Sequence, residues 1–269
     1  MCGIFGVLLD SKTRLANGEV ERVMADLLRL SQTRGQEASG VAIYDSRQVE
    51  IRKQPVPGKE FIRSREWREL FGGLEREGDE PLVCLGHARL DTNSSKLEVD
   101  ENSPMQCGDV IGVHNGIIVN VDRIWEKYVG QVERTKQVDS EVAFTLLDHF
   151  TRGNGDYRQA TAKLFGDLEG SASIAALSQR DARFVLATNT GSLFVADFGG
   201  QAYLFASEPH ILERVIEKNG LNRLWGQSIE FQLRPGNGCV VDLETFGSEQ
   251  FELEECDFGK ETPEQRRAR

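Results

Sequence analysis

The sequence lacks any run long and apolar enough to span a bilayer as a helix, which leaves no membrane-spanning helix to expect. It lacks a basic N-terminal region, and the apolar stretch Ile4 to Leu9 stops at Asp10, so the start does not read as a secretory signal. Metal-ligand spacing such as CxxC is also missing: the cysteines are Cys2, Cys84, Cys107, Cys239 and Cys256. Five is odd, which argues against a disulfide framework and for a reduced, cytoplasmic location. Positive charge is in deficit, with 32 Lys and Arg against 43 Asp and Glu and a net charge of −11. That disfavours sequence-independent binding to nucleic acid or to an anionic membrane surface. There is no GxxxxGK[ST] phosphate loop, no internal repeat and no low-complexity segment. No residue cluster calls for a metal or another cofactor.

What is present is ordinary globular composition, 39% hydrophobic and 28% charged over 269 residues, enough for a substantial core. Ile4 to Leu9 reads as a buried strand. After Asn17-Gly18, the residues Val20, Val23, Met24, Leu27 and Leu28 recur with helical spacing and form one apolar stripe. Ser39 to Tyr44 and Gln48 to Lys53 form an expected hairpin around Asp45-Ser46. A short helix is expected near Glu66 to Phe71. Leu82 to His87 and Val110 to His114 are strands, with a polar loop from Asp91 to Gln106 between them. Helices over Ser140 to Phe150 and Tyr157 to Phe165 precede strands at Ala172 to Leu177, Phe184 to Ala187, Leu193 to Ala196 and Tyr203 to Ala206. A helix near Pro209 to Lys218 and strands at Ile229 to Leu233 and Cys239 to Leu243 complete the pattern. Two sets of strands with helices between them suggest two sheets covered by helices, a layered α/β or α+β domain rather than a regular parallel sheet. The domain is expected over residues 2–250, with a polar tail over 251–269.

The second residue is the chemically informative one. Removal of Met1 would leave Cys2 carrying a thiol and a free α-amine, so that nucleophile and base share one residue. The amine, with a pKa near ~8, can hold a useful neutral fraction near neutrality. The bland alternative is a core thiol in the first strand. Four later motifs bear on the choice. Gly86-His87-Ala88-Arg89 ends a strand and aims a guanidinium, a bidentate carboxylate partner, beyond the sheet; a surface arginine is its bland reading. His114-Asn115-Gly116 either marks a tight turn or supplies an oxyanion hole from the Asn115 amide and the Gly116 N–H. Asp139, before a helix, either caps it or binds an ammonium group. Thr33 to Gly40 brackets a helix-to-strand turn, where Gly35 is expected to adopt positive φ and Arg34 to hold carbonyls near the N-terminus. His87 and His114 are expected as packed supports. A thiol with its own amine, an oxyanion hole, a carboxylate clamp and an ammonium clamp together fit an amino acid whose side-chain carbonyl is attacked, with glutamine the natural candidate.

In order along the chain, Met1-Cys2-Gly3-Ile4-Phe5-Gly6, Arg34-Gly35-Gln36-Glu37-Ala38-Ser39-Gly40, Gly86-His87-Ala88-Arg89, His114-Asn115-Gly116 and Asp139-Ser140-Glu141-Val142 resemble the class II glutamine amidotransferases. The resemblance spans roughly residues 2 to 245 and is closest to the glutaminase domains of glucosamine-6-phosphate synthase and amidophosphoribosyltransferase. It implies an α+β fold, the four-layer αββα sandwich of N-terminal-nucleophile hydrolases. It also implies roles: Cys2 as nucleophile, its α-amine as base, Asn115 and Gly116 as the oxyanion hole, Arg89 on the substrate α-carboxylate and Asp139 on the α-ammonium. Leu90 departs from the aromatic residue those synthases carry after the arginine, Ser103 replaces their His or Gln before Pro104, and the Asp91 to Lys96 loop matches neither. The expected activity is hydrolysis of L-glutamine to glutamate and ammonia. About 25 residues follow the last expected strand, so the ammonia acceptor is expected in a separate synthase subunit or a missing domain; an oligomer is compatible with this. Two rival readings are an amidohydrolase acting on another γ-glutamyl amide and a non-catalytic glutamine-binding regulator.

Overall fold

The structure, a computed structural model, describes residues 2–13, 18–72, 74, 80–90, 99–153 and 155–255. In chain order the elements begin with β1 (Gly3–Leu9), α1 (Glu19–Ser31), β2 (Ala38–Tyr44), β3 (Val49–Gln54), α2 (Gly58–Phe61), α3 (Arg65–Gly72) and β4 (Leu82–Arg89). Next come β5 (Met105–Cys107), β6 (Val110–Ile118), α4 (Val121–Lys127), α5 (Ser140–Thr151), α6 (Tyr157–Asp167), β7 (Gly170–Ser178) and β8 (Arg183–Thr188). The last are β9 (Phe194–Asp197), β10 (Ala202–Ala206), α7 (Pro209–Asn219), α8 (Leu221–Leu224), β11 (Ile229–Gln232), β12 (Asn237–Asp242) and β13 (Ser248–Glu252). One-turn 3-10 helices sit at Gln32–Arg34 and Val99–Glu101.

The strands form two antiparallel sheets. The first has seven strands in the order β11-β9-β10-β1-β4-β2-β3, and the second has six in the order β13-β12-β8-β7-β6-β5. Strand alternation decides which layer each side chain joins. In β1, Phe5, Val7 and Leu9 join α1, α3 and α7 in one core, while Ile4 and Leu8 point between the sheets. In β6, Ile111 and Val113 enter the space between the sheets, whereas Val110 and Ile118 pack with α4, α5 and α6. Three cores thus separate four layers, helices outside and sheets inside. Strands buried on both faces have no polar alternation, which is why β1 and β6 read as continuous apolar runs.

The apolar stripe of α1 lies inward as its spacing requires, with Val20, Val23, Met24, Leu27 and Leu28 all buried. The expected hairpin is β2 and β3, paired in antiparallel register. Five short elements escape the apolar pattern: α2, α4, α8, β5 and β13. The β13 strand is an exposed edge of Ser, Glu and Gln with one half-buried Phe. It carries the second sheet to Glu252, and Leu253 packs against the α4–α6 core, so the fold continues past the boundary expected at residue 250. The Asp91 to Lys96 loop and most of the expected tail lie outside the described residues. No helix among the described residues is long and apolar enough to cross a membrane.

The inter-sheet core is centred on aromatic packing: Phe184 and Phe205 are fully buried with ring centroids 5.6 Å apart. Phe184→Ala should therefore destabilise the fold by about 3–5 kcal/mol, the usual cost of emptying such a site. The midpoint of urea unfolding checks it, and an unchanged midpoint would contradict a shared core between the sheets.

Candidate active site

Cys2 directly precedes β1, and β1 lies between β10 and β4 in the middle of its sheet. Several contacts tie the start of this strand down. The Cys2 carbonyl accepts a hydrogen bond from Arg34 Nε at 3.0 Å. Arg34 closes the 3-10 turn after α1 and is also paired through Nη1 with Glu208, at the start of α7. The Ile4 N–H donates to Ser207 Oγ at 3.0 Å, and the Ser207 N–H donates to the Ile4 carbonyl at 3.0 Å. The chain end is thus held from two sides.

Gly35 does not have the positive φ expected of it. Its backbone is extended, with φ −170 and ψ 135. It is needed for proximity instead: a Cβ there would stand 2.1 Å from the Arg89 carbonyl carbon and 2.4 Å from the Leu90 nitrogen. The neighbouring Glu37 N–H donates to the Arg89 carbonyl at 3.1 Å. This close passage brings the turn after α1 against the end of β4.

The same alternation that sorts the core turns three motif side chains toward the space between the sheets. Cys2, Arg89 and Asn115 have the parity of Ile4, Leu85 and Val113, the residues that face between the sheets. The Cys2 thiol lies 3.9 Å from the Leu90 carbonyl. Arg89 donates from Nη1 to Asn102 Oδ1 at 2.8 Å. Asn115 is 3% exposed, and its Oδ1 accepts no hydrogen bond from the described residues. The Asn115-Gly116 pair is not a turn, because β6 runs straight through it to Ile118. Gly116 has φ +153, and a Cβ on it would lie 1.9 Å from the Ser171 carbonyl oxygen on β7. Only glycine fits there.

Asp139 stands before α5 without capping it: its side chain makes no cap hydrogen bond to the helix. Oδ2 instead accepts from the Ile118 N–H at 2.9 Å, and Oδ1 lies 3.4 Å from Ser140 Oγ. The carboxylate is turned toward the end of β6 rather than along its own helix. Glu141, 2% exposed, shapes the approach to this turn by accepting from the Thr135 and Lys136 N–H groups at 2.8 and 2.9 Å.

Electrostatics link these groups. Burial pushes the Cys2 thiol up, while Arg89 pulls it down and Asp139 adds to the rise, so both charges act on the sulfur. A thiol held protonated needs a base to become a nucleophile. The two nearby histidines are poor candidates. Burial lowers His87 to about 3, helped by Arg89 and His114. Burial also lowers His114, whose Nδ1 is 3.0 Å from Ser140 Oγ. Both rings are neutral at neutral pH. The motifs did not single out Asn102, Ser207 or Glu208. Each acts from a distant part of the chain, so no local spacing could have marked it.

Comparison with known proteins gives three findings. Residues 87–214 match a family described as "Glutamine amidotransferase domain". The chain is 27% identical over 245 residues to the glutamine–fructose-6-phosphate aminotransferase (isomerizing) of Sulfurisphaera tokodaii, covering 88% of this chain and 39% of that protein. It is 29% identical over 222 residues to the same-named protein of Vibrio vulnificus, covering 81% and 33%. The chain therefore spans well under half the length of these relatives. Among solved structures, the glutamine phosphoribosylpyrophosphate amidotransferase of B. subtilis, complexed with ADP and GMP, superposes with a TM-score of 0.65 at 19% identity. That match covers 93% of this chain and 49% of that one, and it shows a shared fold.

Two outcomes follow from the geometry. Gly35→Ala forces the Arg89–Leu90 peptide away from the turn, and a loss of about 1–3 kcal/mol is expected from such overpacking, measurable by thermal unfolding. The depressed His87 also sets a pH dependence. The unfolded ring binds a proton below its ordinary 6.5, whereas the folded ring does so only near 3. Stability should therefore fall as pH drops through that window. Denaturant titrations across it should show a shallower decline for His87→Gln than for the parent.

Proposed function

We propose that this chain, a class II glutamine amidotransferase domain of the N-terminal-nucleophile type, hydrolyses the side-chain amide of L-glutamine through a thioester on Cys2. The observation that carries this reading is that Cys2 and Arg89 from the first sheet and Asn115 from the second all have the parity that faces the inter-sheet space, with the Asp139 charge within electrostatic reach of the Cys2 sulfur. Loss of Met1 frees the Cys2 α-amine. The amine takes the thiol proton as Sγ bonds to the glutamine δ-carbon. The carbonyl oxygen becomes an oxyanion between the Asn115 amide and the Gly116 N–H. The carbon–nitrogen bond breaks and the ammonium proton passes to the leaving nitrogen, releasing ammonia. Water, deprotonated by the same amine, then attacks the thioester and releases glutamate. Arg89 holds the substrate α-carboxylate and Asp139 its α-ammonium, while Arg34, Gly35, His87 and His114 keep these groups in place.

The lowered basicity of both histidines, caused by burial, supports the α-amine as the base. A cytoplasmic setting suits the free thiols of Cys2, Cys84, Cys107 and Cys239. The relatives' greater length supports passage of the ammonia to a synthase unit, in a further domain or a separate subunit. Co-purification from the native host should return a subunit of that kind; isolation of the chain alone with full turnover would sink the partner.

The direct test combines intact mass, for loss of Met1, with release of ammonia and glutamate from glutamine. A diazo-ketone analogue of glutamine should label Cys2. Cys2→Ala should abolish turnover with the fold retained, and a Cys2→Ala enzyme that still turns over would refute the mechanism. Asn115→Ala should lower kcat by about 10²–10³, as expected for one lost oxyanion donor, with a smaller change in KM.

A further inference from the structure

Running from within the second 3-10 turn to the start of β5, the short segment Asp100 to Pro104 touches both clamp regions. Asn102, 2% exposed, accepts from Arg89 Nη1 at 2.8 Å. Next to it, Glu101 Oε1 accepts from the Gln137 N–H at 3.2 Å, two residues before Asp139. The segment is itself fastened to the first sheet by Lys53 on β3. Lys53 Nζ donates to the carbonyls of Asp100 at 3.1 Å, Asn102 at 2.9 Å and Pro104 at 3.5 Å, which uses all three of its protons. Gly40 on β2 completes the seat: a Cβ there would stand 2.3 Å from the Ser103 carbonyl oxygen. Among the described residues, Asn102 alone accepts a hydrogen bond from the Arg89 guanidinium.

We infer that Asn102 is a positioning residue for the amino-acid site, and that the Lys53-fastened segment Asp100–Pro104 sets the aim of Arg89. The inference rests on the glutaminase reading above and extends it to the source of substrate affinity. A guanidinium forks onto a carboxylate only in one plane. Arg89 lies at the end of its strand, where several rotamers are open to a long side chain. A neutral acceptor on one Nη1 proton restricts that choice while leaving the charge and the remaining N–H groups for the ligand. An aspartate at 102 would hold the fork as firmly but would neutralise it. Asparagine does the first without the second.

The test compares parent, Asn102→Ala, Asn102→Ser and Asn102→Asp proteins in three measurements. For glutamine hydrolysis, Asn102→Ala should raise KM by about tenfold with kcat nearly constant, the pattern of lost uniform binding. For 4-aminobutanamide, which lacks the α-carboxylate, kcat/KM should be the same in parent and variant. In an Arg89→Ala background, adding Asn102→Ala should change KM by less than about twofold, because coupled residues are not additive. Asn102→Asp should weaken glutamine binding at least as much as the alanine variant. Should Asn102→Ala fail to fold, Asn102→Ser carries the same expectations. L-glutamate affinity, read by calorimetry, decides the matter independently of turnover. An inactive parent whose glutamate affinity still falls in Asn102→Ala would count against the glutaminase reading and for the positioning role. Equal affinity in parent and variant, or equal losses on both amide substrates, would overturn the role of Asn102.

Discussion

The constraint on which the rest depends is the immobilised start of β1. A nucleophile at a chain end has the freest backbone in the molecule, and chain ends usually fray. Here the strand that follows it is the fourth of seven in its sheet, hydrogen-bonded on both sides by β10 and β4. Its side chains are buried on both faces, so local opening would expose two cores at once. Arg34 holds the Cys2 carbonyl, and Ser207 brackets Ile4. The thiol is consequently as well placed as a residue in the middle of an element, although it belongs to a terminus.

Around that fixed point, two glycines supply the proximity that side chains would forbid. Gly35 lets the turn after α1 pass against the Arg89–Leu90 peptide, and Gly116 lets β6 lie on Ser171 of β7. Their requirements differ. Gly116 combines a φ of +153 with a backbone collision, so both conformation and space demand glycine. Gly35 has an extended backbone that any residue could adopt, and space alone excludes others. A glycine in sequence cannot say which of these reasons applies, which is why a positive φ was the wrong expectation for Gly35.

The same limit separates what the sequence made legible from what it did not. Periodicity located α1, the paired β2 and β3, and the apolar β1, β4 and β6, because burial on one or both faces leaves a pattern in the chain. It passed over β13, whose five residues sit on an exposed edge, and over α4, in which only Ile124 is fully buried. At the site, Cys2, Arg89, Asn115 and Asp139 were marked by motifs. Local context nevertheless favoured a turn for Asn115-Gly116 and a cap for Asp139. Tertiary structure removes both alternatives: β6 continues to Ile118, and the Asp139 carboxylate bonds to that strand instead of its own helix. Asn102, Ser207 and Glu208 were silent in sequence because their partners lie 13, 203 and 174 positions away.

Charge at the site is arranged to remain available. Burying a charge is costly unless it is hydrogen-bonded, yet pairing Arg89 with Asp139 directly would cancel both clamps. Each carries a neutral partner instead: Arg89 donates to the Asn102 amide oxygen, and Asp139 accepts from the Ile118 N–H. These bonds orient the charges without neutralising them. Under the proposed function, a zwitterionic amino acid would complete both pairs at once, its two charged groups fixing the direction in which its side chain reaches Cys2. Neutral His87 and His114 fit the same scheme, since a cationic ring beside Asp139 would compete with the ligand's ammonium group. Burial keeps both rings uncharged. In the proposed mechanism this separates the roles: Arg89 and Asp139 for recognition, the two uncharged imidazoles for packing, and the Cys2 α-amine for proton transfer.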